Sequence, residues 1–265
     1  MSTPLDFNKK ILAIITGASQ GIGKTIALEL NRRLASGSKL VLIARSEDKL
    51  IENKKLLADI NTDVAVDVRA LDLSKTTATN YETVIDSSFN PKTDTYDVGI
   101  IFHNAGQVGK LTKSTELRSF DEWRSFYDTN LFSASILNSV FLDRIKPHVS
   151  NTFVVNISSF CGVQAVVNMG MYCSAKAARN LFFGVVAAEE PDVAVLNYSP
   201  GPVETDMFNT IAVSAQSEAL RVRFKGMRED KQVLSTAQTV AKLLDVLGKG
   251  GYKSGDFVDY FERKC

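Results

Sequence analysis

Short runs of β-branched and other apolar residues alternate with longer amphipathic stretches along the whole chain, and that alternation leaves few architectures open. Residues 10–16, 39–44, 64–70, 97–103, 152–158 and 193–198 read as strands buried on both faces, as in a parallel sheet covered by helices. Helical patterns lie near 22–35, 47–60, 76–89, 116–146 and 171–190. One more follows at 235–247, before a short last strand at 256–260. Strand, helix, strand in succession requires crossover connections, which place helices on both faces of one parallel sheet. The expected fold is α/β, a doubly wound sheet of about seven strands. No composition break or internal repeat divides it, so residues 1–265 are expected to form one domain. Residues 203–231 carry few strand signals and many charges, which suits a mobile segment covering a pocket.

The first expected strand runs into Thr16-Gly17-Ala18-Ser19-Gln20-Gly21-Ile22-Gly23 and then directly into a helix. Glycines there let backbone N–H groups approach a diphosphate, with the positive end of the helix behind them. The spacing is G-x-x-x-G-x-G, and its place in the first β-α-β unit makes the fold Rossmann-like and implies a dinucleotide. The second strand ends in Ala44-Arg45-Ser46. An acid that would hold a ribose 2′-hydroxyl is absent until Glu47, and Arg45 can instead pair with a 2′-phosphate. Lys24 can add positive charge. The expected cofactor is NADP(H).

Tyr172-Cys173-Ser174-Ala175-Lys176 places a phenol and an amine one helical turn apart on one face. An ammonium beside a phenol favours the phenolate, lowering its pKa from roughly 10. Ser159, at the end of the run 153–157, can hydrogen-bond the same carbonyl or alcohol oxygen. The three together point to carbonyl/alcohol redox chemistry. Thirty-one basic and thirty acidic side chains leave a net charge of +1, which argues against a nucleic-acid surface or a polybasic membrane anchor. No apolar run approaches a membrane span, and residues 11–15 are too short for a signal-peptide core. Cys161, Cys173 and Cys265 show no metal-ligand spacing and suit reduced thiols, so a soluble cytoplasmic protein is expected. His103 and His148 lack a third partner, and no metal is expected.

Thr16–Gly23, Asn104-Ala105-Gly106, Asn130, Ser159, Tyr172, Lys176 and Pro200-Gly201 occur in the order seen in the short-chain dehydrogenase/reductases, and the chain resembles that family over nearly its whole length. The resemblance implies further roles. Gly17, Ser19, Gln20, Gly21, Ile22, Gly23, Arg45 and Ser46 would bind the dinucleotide. Asp72 and Leu73 would contact adenine, and Asn104 would shape the cleft. Val203, Thr205, Met207 and Phe208 would hold the nicotinamide. Lys176 and Tyr172 would serve both cofactor and chemistry, and Asn130, in a locally distorted helix, would hold a relay water. A subunit interface along residues 116–146 would make the protein a homodimer.

Within that family, 188–193, 196–202, 204–207, 158–161 with Tyr172-Cys173, and the tail from Tyr252 to Asp259 resemble the pterin-reducing members. This implies reduction of a pterin side-chain ketone with NADPH, the final reduction in tetrahydrobiopterin biosynthesis. Ser159, Phe160, Tyr172, Gly201 and Asp259 would meet the substrate. A carboxylate at Asp259 can accept both hydrogens of the pterin's guanidine-like edge. Two positions depart from the pattern: Gln20 stands where Arg is usual, and His103 where Asn is usual, which bears on cofactor affinity. Two other readings remain open, a reductase of other carbonyls such as dicarbonyls, quinones or steroids, and a non-catalytic NADPH-sensing protein. Trp123, Phe120, Phe126 and Tyr127 read as helix packing, and Cys173 as a packed thiol turned away from Tyr172.

Overall fold

The computed structural model describes residues 1–262. Cys265, expected to be a reduced thiol, lies outside the described residues. Strands β1 (Ile11–Thr16), β2 (Lys39–Ala44), β3 (Ala65–Ala70), β4 (Val98–His103), β5 (Asn151–Ile157), β6 (Val193–Ser199) and β7 (Phe257–Asp259) form one sheet. Its order is β3-β2-β1-β4-β5-β6-β7, and every pairing is parallel. The order reverses between β1 and β4, which opens a crevice at the carboxyl ends of those strands.

Side chains alternate across each strand, so one strand feeds two cores. Ile11, Ala13 and Ile15 of β1 join α1 (Gly21–Asn31), α2 (Glu47–Ile60) and α9 (Thr236–Lys249) in one core. Leu12 and Ile14 join the other, with α3 (Ala78–Asp86), α5 (Ser133–Ile145) and α6 (Gly170–Glu189). β1, β4 and β6 are buried at every position, whereas β3, at the sheet edge, is buried only at Val66. That difference is what a doubly covered centre and a half-covered edge require.

The expected long helix over 116–146 is interrupted. Helix α4 (Phe120–Tyr127) passes into a π-helical turn, Asp128–Phe132, before α5 resumes. Such a turn is a common functional distortion. Phe120 is 81% exposed, so it takes no part in the packing of Trp123, Phe126 and Tyr127 against Met171 and Ala175. The sequence pattern assigns no element to residues 203–231. They fold into two helices, α7 (Asp206–Ser214) and α8 (Glu218–Glu229), each opened by a side-chain cap, from Thr205 and Ser217. The bridge Val203–Leu234 and the Arg228–Glu204 ion pair at 2.7 Å tie the two ends of this segment together. No helix among the described residues is long and apolar enough to cross a membrane.

Candidate active site

The carboxyl ends of the strands open on a cleft of about 2050 Å³. That exceeds the roughly 300–1,000 Å³ of a pocket for one small molecule and leaves room for a dinucleotide beside a second ligand. One end is the glycine turn. Gly17 and Gly21 have φ of +66° and +57°, conformations that glycine adopts without strain. A Cβ on Gly23 would lie 2.4 Å from the Gly17 carbonyl oxygen, so α1 can approach the turn this closely only with glycine there. Gln20 gives α1 no side-chain cap, and its first turn carries no acid, which leaves the leading N–H groups for an anion. These features fit the diphosphate of a dinucleotide.

Asn104 joins this turn to β4. Its amide donates to the Thr16 carbonyl at 2.9 Å, and its N–H donates to the Thr16 hydroxyl at 3.0 Å. Arg45, exposed at the end of β2, lines the cleft with Ser46, Asp72 and Leu73, and it makes no ion pair among the described residues. Asp72 accepts from the Ser74 hydroxyl at 2.8 Å, which holds its carboxyl below the usual range. Lys49, overlooked in the sequence, joins the cleft one helical turn after Arg45 and donates to Gln20 Oε1 at 2.7 Å.

At the other end, Ser159, Tyr172 and Lys176 come together. The Ser159 hydroxyl lies beside the Tyr172 phenol and accepts from the Cys161 N–H at 3.2 Å. The Lys176 ammonium lies 5.6 Å from the Tyr172 ring centroid and donates to the Ile157 carbonyl at 2.7 Å. A Cβ on Gly162 would meet Asn180 at 2.6 Å, so the short 3₁₀ turn Phe160–Gly162 packs tightly on α6 and fixes Ser159 toward Tyr172. The electrostatics differ from the sequence expectation. Burial pushes the Tyr172 phenol up, opposed by the Ser159 hydroxyl and the Arg179 guanidinium. Burial and Arg179 push the Lys176 ammonium down. Desolvation outweighs the ammonium's pull because both side chains are enclosed.

Ser159, Phe160, Gly201, Val203, Thr205, Met207 and Phe208 all line the cleft, with Ser19, Gly21, Ile22, Tyr172 and Lys176. Gly23, Asn130 and Asp259 stand behind its wall. Asn130 is buried in the π turn, where its side-chain oxygen accepts from the Gln107 N–H at 2.9 Å and its amide donates to the Phe126 carbonyl at 2.9 Å. Asp259, also buried, accepts from the Ser199 hydroxyl at 2.7 Å and the Phe261 N–H at 3.0 Å. Phe261 itself forms part of the wall. His103 points away from the cleft, 3.3 Å from Asn138 and against the Phe183 ring, and burial lowers it to about 3. Cys173 does not line the cleft, and it packs with Cys161 against one apolar cluster, a pairing that spacing did not reveal.

Arg179 was missed as well. It follows Tyr172 by seven residues and Lys176 by three, on the same face of α6, and it is 1% exposed. It donates to the carbonyls of His103 at 2.5 Å, Ala105 at 3.1 Å and Asn130 at 3.4 Å. The extension of the Tyr172/Lys176 face by one more basic residue was the available signal.

Residues 11–215 match the family model described as short chain dehydrogenase. The chain is 32% identical over 255 residues to sepiapterin reductase of Mus musculus, covering 95% of this chain and 97% of that protein. It is 29% identical over 250 residues to benzil reductase ((S)-benzoin forming) of Bacillus cereus, covering 92% and 97%. A solved short chain dehydrogenase/reductase from Saccharomyces cerevisiae superposes with a TM-score of 0.79 at 26% identity, covering 95% and 96%.

Proposed function

The chain belongs to the short-chain dehydrogenase family, and on that premise we propose that this oxidoreductase uses NADPH to reduce a ketone on a pterin side chain. The observation that carries the reading is the convergence of Ser159, Tyr172 and Lys176 in one cleft with the glycine turn and Arg45. The likeness to sepiapterin reductase over nearly all of both chains supports the pterin.

In this reading Arg45 and Lys49 meet the 2′-phosphate, and the N–H groups of α1 meet the diphosphate. Lys176 holds the nicotinamide ribose, and the 203–208 stretch sets the ring. Bound NADPH supplies the hydride. Ser159 donates to the carbonyl oxygen as negative charge develops there, and Tyr172 delivers the proton. Asn130 serves proton resupply. Asp259 takes the pterin's 2-amino edge, with Phe261 as the side chain that must move to admit it. The chain acts as one domain, with 203–231 covering the substrate. A homodimer is supported by Phe120, Phe132, Ile136, Leu181 and Val185, exposed on or beside α4, α5 and α6. The cytoplasm is the proposed compartment.

A second reading keeps the chemistry and replaces the pterin with another carbonyl. The apolar lining of Phe160, Val166, Met169, Ile211 and Phe224, and the likeness to benzil reductase, favour it. NADPH oxidation with sepiapterin and with benzil, in wild-type protein and in Asp259→Asn, separates the two. The pterin reading expects sepiapterin turnover to fall sharply in the variant while benzil turnover survives. Equal losses remove Asp259 from the substrate site. Tight NADPH binding with no turnover of any carbonyl would instead indicate a cofactor sensor.

A further inference from the structure

The strand rows that face α6 change character toward the carboxyl ends of the sheet. In β5 and its continuation the row is Val154, Asn156, Ser158, and in β6 it is Val195, Asn197, Ser199. The valines pack under α6 with Phe183 and Val186. The next two rungs are polar, Asn156 is in register with Asn197, and all four polar side chains are at most 2% exposed. Burying amides and hydroxyls costs free energy unless they find partners, and more valines would fill the same space without that cost. The partners form one connected network. Asn156 Nδ2 donates to Asn197 Oδ1 at 2.8 Å and to Asn180 Oδ1 at 3.4 Å, and the Ser158 hydroxyl donates to the same Asn180 oxygen at 2.5 Å. Asn180 lies one turn after Lys176 on α6 and backs the tight Phe160–Gly162 turn that Ser159 opens. In the other direction Asn197 Nδ2 donates to the Gly255 carbonyl at 3.0 Å, just before β7, and the Ser199 hydroxyl donates to Asp259 at 2.7 Å. The network thus runs from Ser158, the neighbour of Ser159, across β5 and β6 to Asp259.

We propose that this network, with Asn197 at its centre, is a positioning device: it fixes the distance between Ser159 and Asp259, and so selects carbonyl substrates by the span from the reacting oxygen to a hydrogen-bond-donating edge. The inference rests on the reading of Asp259 as the substrate anchor. A compound gripped only at its carbonyl oxygen depends on one end of the network. A compound held at both ends needs both in register before its carbonyl meets hydride and proton donor together. A connected set of buried hydrogen bonds has one geometry, whereas apolar packing offers several of similar energy. Asn197 and Ser199 act through Asp259 and touch no reacting atom, so their effect should depend on which substrate is bound.

The test uses full-length protein with NADPH and two substrates: sepiapterin, which presents such an edge, and benzil, which has none. Asn197→Leu removes the centre of the network at similar volume, and Ser199→Ala removes the bond to Asp259. In both variants the ratio of kcat/KM for sepiapterin to that for benzil is expected to fall about five-fold or more, mainly through the KM for sepiapterin. General loosening of the fold would lower both substrates alike. An unchanged or rising ratio therefore overturns the proposal. Ser199→Ala carries the test alone if Asn197→Leu does not fold. Asp259→Asn is measured beside them. An unchanged ratio in that variant overturns the anchor reading, and the proposal with it. A ratio that falls in Asp259→Asn but in neither network variant overturns the positioning role alone.

Discussion

Gln20 donates its side-chain amide to Asp206 at 2.7 Å, joining the glycine turn to the first turn of α7 across 186 residues of chain. Lys49 extends the bridge by donating to Gln20 at 2.7 Å, and all three side chains line the cleft. The residue that departs from the family's usual arginine thus links α7 to the glycine turn and, through Lys49, to α2. Asp206→Ala is expected to raise the NADPH Kd about five-fold, the equivalent of one exposed bond of about 1 kcal/mol. Titration of NADPH fluorescence measures it, and an unchanged Kd removes the bridge from cofactor binding.

In the proposed function, Arg45 reads the 2′-phosphate that separates the two dinucleotides. Arg45→Ala is expected to weaken NADPH about ten- to a hundred-fold, as for one charge-assisted bond, while NADH binding stays within about two-fold. Comparable losses for both cofactors would show that Arg45 does not read the 2′-phosphate.

The Tyr172 phenol ionises above its ordinary range because burial disfavours the phenolate. Reduction consumes the protonated form, so its rate should hold flat to about pH 9 and fall only as the phenol ionises. Oxidation of the alcohol uses the phenolate and should climb over the same range. Tyr172→Phe should lose about 10²- to 10⁴-fold in turnover with cofactor binding intact. A reduction rate already declining near neutral pH would contradict the phenol's position.

Burial holds His103 at about 3, against 6.5 for the free side chain. As pH falls below 6.5 the unfolded chain takes up this proton while the folded chain resists until about 3. Stability is therefore lost on acidification, by about 1.4 kcal/mol per pH unit between those values. His103→Asn is expected to flatten that slope in urea unfolding at pH 7 and pH 4.5. Parallel slopes for the two proteins would mean that other groups dominate the acid response.

Strand positions and the glycine turn were legible because each is written in a contiguous stretch: runs such as Leu40-Val41-Leu42-Ile43, or Gly17, Gly21 and Gly23 around one bend. Ser159, Tyr172 and Lys176 were legible because a turn of helix fixes one spacing and the end of a strand fixes the other. Arg179 was not, since its partners are backbone carbonyls from residues 103, 105 and 130, which no side-chain pattern announces. The Gln20–Asp206 bridge and the Cys161–Cys173 pair were hidden for the same reason, being products of long-range packing. The phenol's direction of shift was misjudged because spacing shows a neighbouring charge but not the water that enclosure removes. Helices α7 and α8 were overlooked where charges on α8 masked an amphipathic period.

The reversal of strand order between β1 and β4 has a consequence for how such a protein can change. Gly17, Gly21, Arg45, Lys49 and Asp72 come from the β1–β3 side of that seam, and Ser159, Tyr172, Lys176, Arg179 and Asp259 from the β4–β7 side. In the proposed function, recognition of the adenosine half and chemistry at the carbonyl thus fall to separate stretches of one polypeptide, meeting along two neighbouring strands. A chimera exchanged near residue 97 could trade one dinucleotide for the other while inheriting its substrate unchanged. The Gln20–Asp206 bridge, which crosses the seam, marks where the two inheritances must be matched.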